Sequence, residues 1–280
     1  MDATGKLVIG DVPIVAEDHG GHGGDVLLLH GGGRTRGDWD VFAGLLVSAG
    51  FRPVSMDLRG HGESGAAPWS WEEVLADVAA VVEGFGLHRP VVVGHSLGGM
   101  VAALWAGEHP ECPLAVNLDG HGNPTRPGQF LGLDEVRATR AWQEMTSFLN
   151  EMGQGLSESF LQVMREIDAL DLFSAYRAAR CPLLVVSGDA RAFAGVFPED
   201  LVPAWNAYCA WVEHELRAAV RETSLVRTTS LPTGHDPHRE DPEGLLRLLT
   251  GHLARCDEGV ERVTGKAHDS APGGAGRGRT

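Results

Sequence analysis

Three short blocks of this chain carry residue types suited to acyl transfer. Gly94-His95-Ser96-Leu97-Gly98 follows the apolar run Val91-Val92-Val93 and precedes a helix-patterned stretch, so a serine stands on a strand–turn–helix corner. Such a corner is strained. A Cβ at either flanking glycine would collide with the adjoining strand or helix, and the turn lifts the serine Oγ above the sheet edge. The helix that follows aims its N-terminus at the place where an oxyanion would develop. Ser96 is the candidate nucleophile, and the Leu97 N–H is the first candidate oxyanion donor. His30-Gly31-Gly32-Gly33 directly follows Val26-Leu27-Leu28-Leu29. Alone it would be a flexible turn. Coupled to the serine corner, its glycines let backbone N–H groups approach a ligand, and Gly32 N–H is the second candidate donor. Toward the C-terminus, Gly234-His235-Asp236-Pro237-His238 follows the last strand pattern. A histidine on that loop can lean over the sheet edge toward Ser96. His235, next to Gly234, is the better-placed general base, and His238 is its competitor. His95 is assigned to packing or orientation rather than catalysis, and His61 to support of a loop.

The elements that must position these groups follow from hydrophobic patterning. Strand patterns fall at 7–10, 12–17, 26–29, 52–56, 91–94, 114–118, 183–187 and 225–230. Helix patterns lie near 38–49, 71–86, 97–109, 203–222 and 242–255. This alternation predicts a mostly parallel sheet with helices on both faces, and unbroken apolar runs such as Val91–Val93 suit strands buried on both sides. Ser70 is placed to cap the helix that begins at Trp71, with Glu73 at the capping-box position. From about 121 to 180 no strand pattern occurs, only the helix-like segments 134–152, 156–168 and 169–179, which read as a helical insertion. Residues 257–280, which include Ser270-Ala271-Pro272-Gly273-Gly274, are too poor in apolar groups to order themselves and are predicted to be a disordered tail. The domain reading is a core of 1–120 and 181–256 around an insertion of 121–180.

Composition narrows the function further. A net charge of −15 makes nucleic acid and anionic membranes unnatural partners. The four cysteines, at 112, 181, 209 and 256, form no CxxC pair, so neither a zinc site nor a dense disulfide framework is expected. No basic segment followed by a long apolar run opens the chain, and no stretch reaches the roughly 18 apolar residues of a membrane span. A cytoplasmic enzyme with no metal and no cofactor is the expectation.

Taken in order, His30–Gly33, Asp57-Leu58-Arg59-Gly60-His61-Gly62-Glu63-Ser64, Gly94–Gly98 and Gly234-His235 resemble the blocks of the α/β-hydrolase superfamily, over about residues 7–255. The resemblance implies an eight-stranded sheet, a Ser–acid–His triad and a helical cap inserted after the sixth strand, where the helical interval stands. It leaves the acid open. Most of the family carries an aspartate about three residues past a glycine after the seventh strand. Here Leu183-Leu184-Val185-Val186-Ser187-Gly188-Asp189-Ala190-Arg191 puts Arg191 there, with Asp189 two residues early. Asp119, in Val116-Asn117-Leu118-Asp119-Gly120, is preferred because some dehalogenases, lipases and a lactonase of the superfamily carry the acid after the sixth strand. Asp189 is the alternative. Read plainly, Asp119 could merely begin a turn in which Gly120 supplies positive φ.

A serine nucleophile argues against epoxide-hydrolase and haloalkane-dehalogenase chemistry, for which family members use aspartate. Acyl transfer remains, with an apolar small-molecule ester or lactone as substrate. Gly31, His95, Trp142 and Met145 are the candidates for the pocket wall. Trp142, Met145, Phe148, Leu149, Met152, Phe160 and Met164 recur at helix spacing in the insertion and could roof it. No basic cluster marks a phosphorylated or coenzyme A substrate. A thioesterase or cyclase of small-molecule biosynthesis, and a non-catalytic ligand receptor on the same fold, are the competing readings.

Overall fold

The computed structural model describes residues 6–9, 11–189 and 197–265. Eight strands form one sheet: β1 (Lys6–Ile9), β2 (Ile14–Asp18), β3 (Asp25–Leu29), β4 (Arg52–Met56), β5 (Val91–His95), β6 (Ala115–Leu118), β7 (Leu183–Ser187) and β8 (Val226–Ser230). Their spatial order is β1-β2-β4-β3-β5-β6-β7-β8. β2 runs antiparallel to both β1 and β4, and every pairing from β4 through β8 is parallel. This is the α/β-hydrolase fold with the expected strand count, each strand within a residue or two of its predicted bounds.

The two-sided burial of the central strands is visible in their alternation. Leu27, Leu29, Val92, Ala115 and Val185 face one apolar cluster, together with α2 (Trp71–Gly84) and α3 (Leu97–Glu108). Val26, Leu28, Val93, Val116 and Val186 face the other, together with α1 (Asp40–Ser48). Side chains alternate along a strand, so each uninterrupted Val/Leu run feeds both layers. Ser70 caps α2 as its position predicts, its Oγ accepting the Glu73 N–H at 3.2 Å.

Between β6 and β7 lie α4 (Glu135–Met152), α5 (Glu158–Ala169) and α6 (Leu172–Arg177), capped by Asp134, Ser157 and Asp171. α7 (Val202–Glu222) leads to β8. A one-turn helix, α8 (Pro237–Glu240), and α9 (Pro242–Gly265) follow. α9 continues past residue 257, where the disordered tail was expected to begin, so helix occupies 257–265; the rest of that tail lies outside the described residues. Among the described residues no helix is long and apolar enough to cross a membrane.

Candidate active site

Ser96 stands alone between β5 and α3 with φ 50° and ψ −114°. A left-handed conformation costs an L-residue about 1–3 kcal/mol and persists only where its surroundings over-determine it. Here they do. Ser96 N–H donates to Leu118 O at 2.9 Å, Met100 N–H donates to Ser96 O at 3.1 Å, and Gly98 N–H reaches back to His30 O at 3.2 Å. A Cβ at Gly94 would run into the Gly98 carbonyl, and one at Gly98 into the Leu29 carbonyl. Leu97 is the first residue of α3, a position whose N–H has no acceptor within its own helix.

The His30–Gly33 loop lies against this corner. A Cβ added to Gly31 would come within 2.8 Å of His95 Nδ1 and 3.3 Å of Ser96 Cβ. His30 is fully buried and braces the loop. Leu58 N–H donates to its Nε2 at 3.0 Å, so Nδ1 must carry the proton, which it gives to Gly31 O at 2.7 Å. Burial pushes the His30 imidazole down to about 4, which keeps it neutral near pH 7. Arg34 N–H closes the turn onto Gly31 O at 3.2 Å. Phe160 of α5 lies over the loop, 3.5 Å from where a Gly32 Cβ would be, with Leu97 Cδ2 3.8 Å from the same point.

On the other side of Ser96, Asp119 and His235 meet. Asp119 Oδ2 lies 2.8 Å from His235 Nδ1, and its Oδ1 accepts the Gly188 N–H at 3.0 Å. Burial alone would raise this carboxyl. The hydrogen bond to His235, the nearby imidazoles of His121 and His235, and the Gly188 amide outweigh it and hold Asp119 below the ordinary aspartate value. The turn differs from the simple reading of the sequence: positive φ falls on Asp119 itself, at 50°, rather than on Gly120. Gly120 is needed for space, because a Cβ there would run into Asn117 Oδ1 and the Ser96 carbonyl. Asn117, fully buried, holds the turn: its Oδ1 accepts Gly120 N–H at 2.8 Å, and its amide donates to Gly120 O at 3.0 Å and to Tyr176 OH at 2.8 Å. Asp189, the alternative acid, is exposed beyond β7, its N–H donating to Thr233 O at 2.6 Å. The carboxylate at His235 Nδ1 is that of Asp119. Arg191 lies outside the described residues.

The histidine loop is tied to both other parts of the site. His95 is buried, and its Nε2–H donates to His235 O at 2.8 Å, which leaves Nδ1 unprotonated in a ring that burial keeps neutral. Arg34, from the glycine loop, pairs with Asp236 through one guanidinium nitrogen, Nη2, which lies 2.8 Å from both carboxylate oxygens. His238 packs between the rings of Trp39 and His95, at 4.4 and 4.6 Å, and burial pushes it down to about 3. It is a neutral packing group rather than a rival base.

Of the pocket-wall candidates, Gly31 and His95 adjoin Ser96. Met145 is fully buried in the larger core cluster, and Trp142 packs against that cluster, so neither lines the cavity beside the glycine loop. Phe160 is the insertion residue that reaches this loop. The roles of Asn117 and His30 escape motif reading: Asn117 shows only as a polar residue inside an apolar strand run, and His30 only as the head of the glycine block. Among the described residues no group of three His, Cys, Asp or Glu is placed to hold a metal ion.

Known proteins place these features in a family. The alpha/beta hydrolase family profile matches residues 26–248. The chain is 37% identical over 108 residues to a bifunctional esterase/perhydrolase of Acinetobacter calcoaceticus, a span of 37% of this chain and 39% of that protein. It is 32% identical over 187 residues to a pimeloyl-acyl-carrier-protein methyl ester esterase of Chromobacterium violaceum, 66% of each. The chain therefore spans about two-fifths of the first relative and two-thirds of the second. In structure it is similar to the enol-lactonase from Burkholderia xenovorans LB400, with a TM-score of 0.61 at 17% identity over 89% of this chain and 99% of that one, a likeness of fold. With that profile match running from β3 into α9, the chain belongs to the alpha/beta hydrolase family.

Proposed function

We propose that this chain is a serine hydrolase that cleaves a carboxylic ester or lactone of an apolar small molecule through an acyl-enzyme. The observation that carries the reading is the 2.8 Å contact of Asp119 Oδ2 with His235 Nδ1, on a loop whose His235 carbonyl is held by the residue preceding Ser96. His235 Nε2 takes the Ser96 proton as Oγ attacks the carbonyl carbon, and Asp119 stabilises the imidazolium that forms. The charge that moves onto the carbonyl oxygen is met by the N–H groups of Leu97 and Gly32; one such donor is worth about 10²–10³ in kcat. Collapse expels the alcohol, protonated by His235. Water, deprotonated by the same nitrogen, then releases the acid. Residues 121–180 act as the cap, with Phe160 above the oxyanion loop. The ester and lactone substrates in the names of the relatives and of the similar structure agree with this chemistry.

The test is turnover of p-nitrophenyl butyrate together with the mass of a fluorophosphonate adduct. The adduct should map to Ser96. Ser96→Ala and His235→Ala should each lower kcat by roughly 10³-fold or more, and the double variant should be little worse than either, because the pair acts as a unit. Additive losses, or an adduct on another residue, would overturn the assignment.

A further inference from the structure

His235 sits on the short loop between β8 and α8, and its ring can aim only as well as the backbone on either side is held. Glu240, the last residue of α8, reaches back along the chain to that backbone. Its Oε2 accepts the Gly234 N–H at 2.7 Å, and its Oε1 accepts the Asp236 N–H at 3.2 Å. One carboxylate therefore spans His235, bonding the residue before it and the residue after it. Gly234 leaves room for this reach, because a Cβ there would come within 2.9 Å of Glu240 Oε1.

Helix capping accounts for only part of the arrangement. In a capping box an acidic side chain at the third helical position bonds the amide of the N-cap residue. Asp236 is the N-cap of α8, and Glu240 stands at the fourth position, one residue too late. The bond to Gly234, two residues before the N-cap, satisfies no helix amide at all; it fastens the loop. The peptide that follows His235 is then gripped at both ends. Its carbonyl accepts the His95 Nε2–H at 2.8 Å, and its N–H, that of Asp236, donates to Glu240. A peptide unit is planar, so holding both of its polar groups fixes its plane. With the chain fastened at Gly234 as well, the Cα–Cβ bond of His235 has little freedom to turn. The Glu240 residue itself is exposed, so removing its carboxylate removes no core contact.

We infer that Glu240 is a positioning residue for the general base, holding the His235 backbone so that Nδ1 meets Asp119 and Nε2 is left to Ser96. The inference rests on the serine-hydrolase reading for the role of His235, but the position of the ring is tested without turnover. In the full-length, nitrogen-15-labelled protein, the His235 Nδ1–H held by Asp119 should give a downfield, slowly exchanging proton signal, identified by its loss in His235→Gln. In Glu240→Ala that signal should move upfield or broaden away. Turnover of p-nitrophenyl butyrate is measured on the same variants well below their melting temperatures. For Glu240→Ala, kcat should fall about 10- to 100-fold while KM stays within about twofold, since misplacing a reacting group by about 1 Å can cost 10²-fold and Glu240 touches no substrate. Glu240→Gln, whose amide oxygen can hold only one of the two N–H groups, should fall between, and serves if Glu240→Ala does not fold. A signal and a kcat that keep their wild-type values while only melting declines would make Glu240 a plain helix cap and overturn the inference. A rise in KM with kcat and the signal unchanged would overturn it too. Should the wild-type protein turn over no ester, the hydrolase reading fails, and the Nδ1–H signal alone decides whether Glu240 aims the ring.

Discussion

Asp119→Asn probes the proposed triad most sharply, because the structure dictates which way the new amide must turn. Asp119 Oδ1 accepts the Gly188 N–H at 3.0 Å, and Oδ2 faces His235 Nδ1 at 2.8 Å. A backbone N–H can only donate, so the asparagine carbonyl must take the Gly188 side. Its NH₂ group then faces Nδ1, which can accept only with its lone pair, and the His235 proton moves to Nε2. That tautomer cannot take the Ser96 proton. The opposite rotamer restores Nδ1–H but sets NH₂ against the Gly188 N–H, an unpaired buried donor worth about 1–3 kcal/mol. A bias of that size, with loss of the carboxylate's stabilisation of the imidazolium, corresponds to about 10²- to 10⁴-fold in kcat. Folding should be nearly unchanged, since the side chain keeps its shape. Steady-state hydrolysis of p-nitrophenyl butyrate measures kcat, and thermal melting checks the fold. Asp189→Asn, on the exposed residue, should change kcat less than about threefold. If Asp119→Asn keeps a third of wild-type kcat while Asp189→Asn loses a hundredfold, the acid has been misassigned.

His30→Ala leaves the Leu58 N–H unpaired in a fully buried site and strips the Gly31 carbonyl of one of its two donors, so melting should fall by several degrees; kcat should fall more than KM rises if the loop holds the oxyanion donor. Stability should also decline in mild acid. The folded-state values of His30 and His238 are depressed to about 4 and about 3, so between pH 6.5 and 4 the unfolded chain binds protons that the folded chain refuses. Their stabilisation is full above pH 6.5 and shrinks as the pH falls, by up to about 3 kcal/mol each. Urea midpoints equal at pH 7 and 4.5 would contradict this. Phe160→Ala uncovers Gly32 and should raise KM for butyrate esters more than for acetate esters; equal rises would mean that Phe160 only packs.

The sequence was most legible where a local rule applies. Gly94 and Gly98 flank a corner that only glycine can fit, and the Val/Leu runs bury both faces of β3, β5 and β7. Both features depend on a few neighbouring residues, so they survive without knowledge of the rest of the chain. The pocket wall was less legible. Trp142 and Met145 recur at helix spacing as well as Phe160 does, and periodicity names a buried face without saying what buries it. α4 turns its face into the core, whereas α5 turns Phe160 onto the glycine loop. His30, His61 and His95 were also hard to sort by sequence. Each is assigned by one partner, the Leu58 N–H, the Arg59 carbonyl and the His235 carbonyl, and the last of these comes from 140 positions away.

The position of the proposed acid depends on how the ends of β6 and β7 combine beneath the histidine loop. β6 and β7 are parallel neighbours in register, Leu118 opposite Val186, so their ends reach the same edge beneath the histidine loop. Asp119 N–H donates to Val186 O at 2.8 Å, one further rung of that ladder, and Gly188 beyond β7 donates to the Asp119 carboxylate. The β7 end thus contributes a hydrogen-bond donor to the carboxylate that the β6 end carries. The carboxylate that ends β6 reaches Nδ1, and it needs its own turn to do so. At β6 the requirement is a left-handed Asp119, a Gly120 without Cβ and an Asn117 that bonds both ends of the turn. Asn117→Ala should therefore act on catalysis through Asp119, lowering kcat and stability together, whereas Asn117→Asp, which keeps the Gly120 N–H acceptor, should recover part of both. If Asn117→Ala destabilises the fold but leaves kcat intact at low temperature, the turn does not depend on Asn117 to aim the acid.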